Sequence, residues 1–225
     1  MALDATLRAA AARGKPRRPL PIEPDDLRRK VREHRSPFAV ALIVDNSYSL
    51  AAESMLERVK GLALRILEEP AHRGDKVALV AFRGGLPEAT VVLPLTRSRR
   101  LAAQRLEQMP LSGQTPLPDA IRRGRRLLSQ ERVRNPDSVP LLVAITDGRP
   151  TVALRAGSDP WADMLAQAHE LRRARIACLV VDAAVPGSPE AAERGARALA
   201  RASAGVEMSL GTLLPETFTA LLETA

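Results

Sequence analysis

A chain of 225 residues with 45% hydrophobic content is long enough to bury one α/β core, is short for two, and carries no apolar run able to cross a bilayer. Its 34 Lys and Arg against 26 Asp and Glu leave a net charge of +8, yet only 2% of residues are aromatic, which removes the stacking platforms that hold single-stranded nucleic acid. A single cysteine, Cys178, excludes an intrachain disulfide and a Cys-built zinc site.

Residues 1–36 read as an extended basic N-terminal arm, with GKPRRPLP at its middle and the charge cluster DDLRRKVREHR at its end; residues 37–225 read as the folded domain. The first residues hold no apolar segment of the kind a secretory signal needs, so a cytoplasmic location is expected. From Phe38 the pattern changes to FAVALIV, a continuous apolar run ending at Asp45, as in a strand buried on both faces. Residues 51–69 then carry Met55, Leu56, Val59, Leu62, Ala63, Ile66 and Leu67 at helical spacing.

The alternation continues with strands at 76–82 and 89–93, joined so briefly that an antiparallel hairpin is expected. Helices follow at about 97–108 and 117–130, a strand at 138–146, a helix at 160–174 and a strand at 174–182 that contains Cys178 as a core residue. A helix at 189–203, a short edge strand at 206–210 and a last helix at 213–223 complete the chain. Strands alternating with helices of this length predict an α/β fold of three layers: a doubly wound, mostly parallel six-stranded sheet with one antiparallel edge strand, Rossmann-like in plan. Ligands of such sheets bind beyond the carboxyl ends of the strands, where strand order reverses, so function is sought just after Val44, Thr146 and Asp182.

Oxygen-bearing side chains gather at that end. Asp45, Asn46, Ser47, Tyr48 and Ser49 leave the first strand together, Thr115 lies just before a helix, and the strand LLVAIT runs into Asp147-Gly148-Arg149. Two carboxylates with three hydroxyls suit a hard cation, and magnesium, which keeps several waters, fits better than calcium, whose cages bring more carboxylates and carbonyls. Such a set also leaves the ion under-neutralised, able to draw in a carboxylate from outside.

At these residues the sequence resembles the von Willebrand factor A family and its metal-ion-dependent adhesion site, Asp-x-Ser-x-Ser followed by a distant Thr and a distant Asp. The resemblance assigns the metal to Asp45, Ser47, Ser49, Thr115 and Asp147: hydroxyls touching Mg2+ (Mn2+ or Ca2+ as alternatives), acids acting directly or through water, and a partner's Glu or Asp completing the shell. DATLRAAAARG, IEPDDLRRKVREHR, GDKVALVAFRG, SGQTPLPDAI and PLLVAITDGRPT further resemble the C-terminal domain of the magnesium chelatase D subunit and its cobaltochelatase relatives, over most of residues 4–151. That resemblance implies an AAA+ ATPase or a chelatase-type protein of tetrapyrrole biosynthesis as partner. No Gly-x-x-x-x-Gly-Lys-Ser/Thr occurs in the chain, so ATP hydrolysis is not expected of it.

One position departs from the family, which has Gly where this chain has Tyr48 and Met where it has Leu50. Two readings stay open: the Tyr48 ring faces outward and contacts the partner, or the domain keeps the fold and has lost tight metal binding. Arg83 and Arg149 flank the crevice as further candidates for an acidic partner. Asp119, one turn after Thr115, either reaches the site or serves the helix dipole, and Asp182 either supports the site or starts a loop.

No catalytic residue is expected. A phosphatase built on Asp45 would need a second acid where Ser47 stands, and no Gly-x-Ser-x-Gly elbow is present. His34, His72 and His169 lie far apart and read as surface residues, and Trp161 as a packing residue. Nucleic acid is not the expected partner; were it one, Lys15, Arg17 and Arg18 would carry it. The reading is a protein-binding module.

Overall fold

The computed structural model describes residues 3–12, 22–28, 36–46, 61, 75–82, 86–109, 113–184 and 191–209. The chain divides into two compact units, Met1–Arg35 and Ser36–Ala225. The first opens with a helix, α1 (Leu3–Ala12), where an extended arm was expected. Leu, Arg and a run of Ala are strong helix formers, and Asp4 in the first turn complements the helix dipole. A single 3-10 turn, Pro24–Asp26, is closed by the Glu23 N–H donating to Asp26 Oδ2 at 2.8 Å, and the Arg28 N–H donates to Thr6 Oγ1 on α1 at 3.0 Å.

In the second unit the strands are β1 (Phe38–Val44), β2 (Lys76–Phe82), β3 (Ala89–Thr96), β4 (Val139–Thr146), β5 (Ala177–Asp182) and β6 (Val206–Ser209). They form one sheet in the order β3-β2-β1-β4-β5-β6, with β2 and β3 antiparallel and every other pair parallel. The expected architecture is thus present, with the antiparallel strand at an edge. Helices α2 (Arg99–Glu107), α3 (Leu117–Arg134), α4 (Pro160–Arg173) and α5 (Ala191–Ser203) complete the described elements. The helical stretches expected at 51–69 and 213–223 lie outside the described residues, Gly61 apart.

The element ends differ from the sequence reading for local reasons. β3 runs on to Thr96 through Pro94, which an edge strand tolerates because no neighbour needs its missing N–H. α3 continues to Arg134 and stops at Asn135, the residue before Pro136, where helical geometry is disfavoured. β5 begins at Ala177 because α4 closes first: Arg175 turns left-handed at φ 52°, and the Ile176 N–H returns to the Leu171 carbonyl at 3.1 Å.

Both faces of the central strands are buried, which is why their sequences read as unbroken apolar runs. Leu42, Val44, Val143 and Ile145 pack on one face with Ala102 and Leu106 of α2; Ala41, Ile43, Leu142 and Ala144 pack on the other with α3, α4 and α5. Small residues let α3 lie close to the sheet. A Cβ added at Gly124 would stand 3.0 Å from Leu142 Cδ1 and 3.5 Å from Ala41 Cβ, so a side chain there would require Leu142 to give way.

Cys178 lies buried on β5, facing the core as expected. Burial pushes its thiol from 9.0 up to about 11, against a smaller opposing hydrogen bond with Ser203. The raised value means that the folded form holds the proton more tightly. The corresponding stability is complete below pH 9.0 and is lost as pH climbs toward 11. At pH 8 the native thiol should react with a disulfide reagent at least about a hundredfold more slowly than in denaturant. Equal rates would show that β5 does not protect it.

Candidate functional site

The reversal of strand order falls between β1 and β4, and the residues that follow these two strands are Asp45 and Asp147. In the parallel pairing of β1 with β4, Val44 stands opposite Ile145. The ladder runs one residue further, with the Asp45 N–H donating to the Ile145 carbonyl at 2.9 Å. Asp45 therefore lies beside Thr146, whose hydroxyl donates to Asp45 Oδ2 at 2.7 Å and accepts the Gly148 N–H at 3.0 Å. The threonine hydroxyl thus accepts from the backbone on one side and donates to the aspartate on the other, and one carboxylate oxygen is fixed in place. Asp45 and Thr146 are both fully buried.

Asn46 anchors the loop as it leaves β1. Its side-chain amide donates to the Phe82 carbonyl at 3.0 Å, and its Oδ1 accepts the Phe82 N–H at 3.1 Å. The side chain thus imitates one more residue of strand pairing with β2. Ser47, Tyr48, Ser49 and Arg83, four of the eight residues expected to bind metal or partner, lie outside the described residues.

Thr115 is brought to the same end of the sheet by a backbone exchange across loops. Its N–H donates to Thr151 Oγ1 at 2.8 Å, and the Thr151 N–H returns to the Thr115 carbonyl at 3.1 Å. The segment before α3 is thereby fastened to the segment after β4, where Asp147 and Arg149 lie. Asp147 Oδ1 accepts the Arg149 N–H at 3.0 Å, closing a tight turn. Thr115 and Asp147 are both 3% exposed. Among the described residues neither the Thr115 hydroxyl nor Asp147 Oδ2 has a hydrogen-bond partner. Arg149 is half-buried, with its Nε enclosed and without an acceptor.

Gly148 holds this turn against α5. Its φ is +75°, and a Cβ there would stand 2.3 Å from the backbone of Gly195 and Ala196. A Cβ at Gly195 would in turn stand 2.3 Å from the Gly148 carbonyl oxygen. Two glycines facing one another bring main chain onto main chain, so the turn that carries Asp147 is seated on a helix.

Asp119 does not serve this site. Its Oδ2 accepts the Ala89 N–H at 3.0 Å and Arg123 Nε at 2.7 Å, while Oδ1 accepts Arg122 at 2.5 Å. The carboxylate ties α3 to the start of β3, and its hydrogen bond raises the Arg123 pKa above the ordinary arginine value. Its role exceeds the helix-dipole one that its position suggested. Asp182 accepts the Ala184 N–H at 2.9 Å and turns the chain out of β5. Among the described residues no three acids, histidines or cysteines converge.

Residues 40–149 match the von Willebrand factor type A domain model. The uncharacterized protein Rv2850c of Mycobacterium tuberculosis is 39% identical over 180 residues, 80% of this chain and 28% of its own length. The magnesium-chelatase 60 kDa subunit of Cereibacter sphaeroides is 34% identical over 184 residues, 80% of this chain and 31% of its own length. The chain therefore spans less than a third of either relative. The manganese-loaded TRAP protein of Plasmodium vivax shares the fold at a TM-score of 0.58 and 15% identity, over 78% of this chain and 70% of that one.

The glycine contact can be tested by contrast. Gly148 and Gly157 both have positive φ, +75° and +82°, but nothing lies within 4 Å of a Cβ built on Gly157. Gly157→Ala should cost about 1 kcal/mol, the left-handed backbone alone. Gly148→Ala should cost at least about 3 kcal/mol, because a backbone clash is added that no rotamer relieves. Denaturant midpoints compare the two, and equal losses would remove the seating on α5.

Proposed function

This chain carries a von Willebrand factor type A domain related to that of magnesium-chelatase subunits, and from that premise we propose that it is a metal-dependent docking module without catalysis of its own. One observation carries the reading. Besides Asp45, the domain buries three acids among the described residues, Asp119, Glu131 and Asp147. Asp119 is met by Arg122 and Arg123, and Glu131 by Lys76 Nζ at 2.7 Å. Among the described residues Asp147 meets no basic side chain, only the Arg149 backbone N–H. A buried carboxylate left without positive charge is costly, and a bound cation supplies that charge.

The donor chemistry suits such an ion. Asp45 and Asp147 with the hydroxyls of Ser47, Ser49 and Thr115 would hold Mg2+, with Mn2+ or Ca2+ as substitutes. The bound ion would supply an electrophilic centre for an incoming carboxylate. The chain's own residues do the positioning: Thr146 orients Asp45, Asn46 anchors the loop after β1, and Gly148 seats the turn of Asp147. The matching docking group is a Glu or Asp side chain on an AAA+ or chelatase-type protein, with Tyr48, Arg83 and Arg149 around it. The kinship with chelatase subunits supports this choice of partner.

The test is a titration with Mn2+ followed by electron paramagnetic resonance, with Mg2+ as competitor. One site is expected. Asp45→Ala and Asp147→Ala should abolish it with the fold intact by circular dichroism, and Thr146→Val should weaken it about 10–100-fold by freeing the Asp45 carboxylate. Binding unchanged in both alanine variants would overturn the site. The companion experiment captures an AAA+ or chelatase-type protein on tagged chain with Mg2+ and with chelator. Retention of the same partner in chelator, or by Asp45→Ala, would overturn metal-dependent docking.

A further inference from the structure

The outward side of α4 and α5 carries a groove that none of the residues above uses. Its volume is about 490 Å³, inside the range of binding clefts, and it is walled on α4 by Trp161, Leu165 and His169, which repeat every fourth residue. On α5 the matching rows are Arg197 with Arg201 and Ala198 with Ala202. The alanines keep the α5 wall low where the apolar side chains of α4 rise beside it, and so open a furrow along the two helices. Asp159 caps α4 by accepting the N–H groups of Trp161 and Ala162, which fixes the turn that presents Trp161.

Charge identifies what fits there. Among the described residues the acids near these helices already have partners: Asp163 accepts the Leu154 N–H and the Ser158 hydroxyl, Glu170 pairs with Arg173, and Glu207 pairs with Arg197 Nε at 3.2 Å. Arg201 and His169, both exposed, have no acidic partner among the described residues. The furrow therefore has an apolar floor and a basic wall in which Arg197 is paired through Nε with Glu207 and Arg201 has no acidic partner among the described residues. Nucleic acid would find basic groups but no row of aromatics on which to stack, and its phosphates gain nothing from Leu165 and the alanines.

We propose that this groove docks an amphipathic helix of a partner protein whose apolar stripe is flanked by Glu or Asp. The stripe packs between Trp161 and the alanines, and the flanking acids pair with Arg201 and the outer nitrogens of Arg197. The contact is separate from the metal site and does not depend on an ion.

Trp161 is the sole tryptophan, so its fluorescence reports on the groove directly. The probe is a Trp-free helical peptide of about 18 residues with Leu at i, i+3, i+4 and i+7 and Glu beside them, paired with a copy in which every Glu is Lys. The full chain, in chelator, should show saturable binding of the Glu peptide and none of the Lys peptide. Arg201→Glu should weaken binding at least about tenfold, while Arg134→Glu at the end of α3 should leave it unchanged, with circular dichroism confirming the fold of both. Four outcomes overturn the proposal: no saturable binding, equal binding of both peptides, equal loss in both variants, or displacement of the peptide by a short DNA duplex, which would mark a general polyanion surface.

Discussion

The site depends on how β1 and β4 lie against each other. These strands are far apart in sequence, yet their parallel register carries Val44 opposite Ile145, and the ladder continues until Asp45 stands beside Thr146. A slip of one residue would turn Asp45 to the other face of the sheet and part it from the Thr146 hydroxyl. What opposes a one-residue slip is burial on both faces: Leu42 and Val44 are committed to one core, Ala41 and Ile43 to the other, and the slip would exchange the two sets. The geometry at the rim is thus set by packing several residues below it.

Around that pair backbone N–H groups, meeting side-chain oxygens of Asn46, Thr146, Asp147 and Thr151, position the segments. Thr115 is held through its N–H and carbonyl, which leaves its hydroxyl uncommitted. Asp147 gives one oxygen to a turn and keeps the second. The Gly148 turn is held by close approach to Gly195, with no side chain of its own. A site organised in this way stays ordered while retaining ligand capacity, which is what preorganised binding needs.

Much of this was legible in the sequence because each apolar run had one meaning. FAVALIV and LLVAIT are too short for membrane spans and too uniformly apolar for half-exposed strands, so both the parallel sheet and the location of its ligand end followed from them. Asp45, Thr115 and Asp147 were legible by type and place. Thr146 was not singled out, although it is the last residue of a recognisable strand, because its importance arises from register with β1, a long-range property. Asn46 was passed over for a similar reason: an amide that completes strand pairing looks, in sequence, like any polar loop residue. The Gly148–Gly195 contact joins two distant segments and left no local pattern. The helix of residues 3–12 was missed because the basic, Pro-containing stretch beyond it dominated the reading of the whole segment.

The buried acids show two ways of solving one electrostatic problem. Where a carboxylate serves only the fold, the chain supplies its own cation at short range: Arg122 and Arg123 for Asp119, Lys76 for Glu131, with Asn135 also donating to the latter. Both acids then become cross-links, the first between α3 and β3 and the second between α3 and β2. Asp147 is as deeply buried as these and receives one neutral donor. A chain with eight positive charges in excess has no shortage of arginine with which to neutralise it, and Arg149 lies two residues away with its Nε enclosed and unmatched. That Arg149 gives Asp147 its backbone N–H and no side-chain ion pair separates the two charges within one turn. Such a separation of acid and guanidinium is the polarity that the proposed metal-assisted dock for a carboxylate would require.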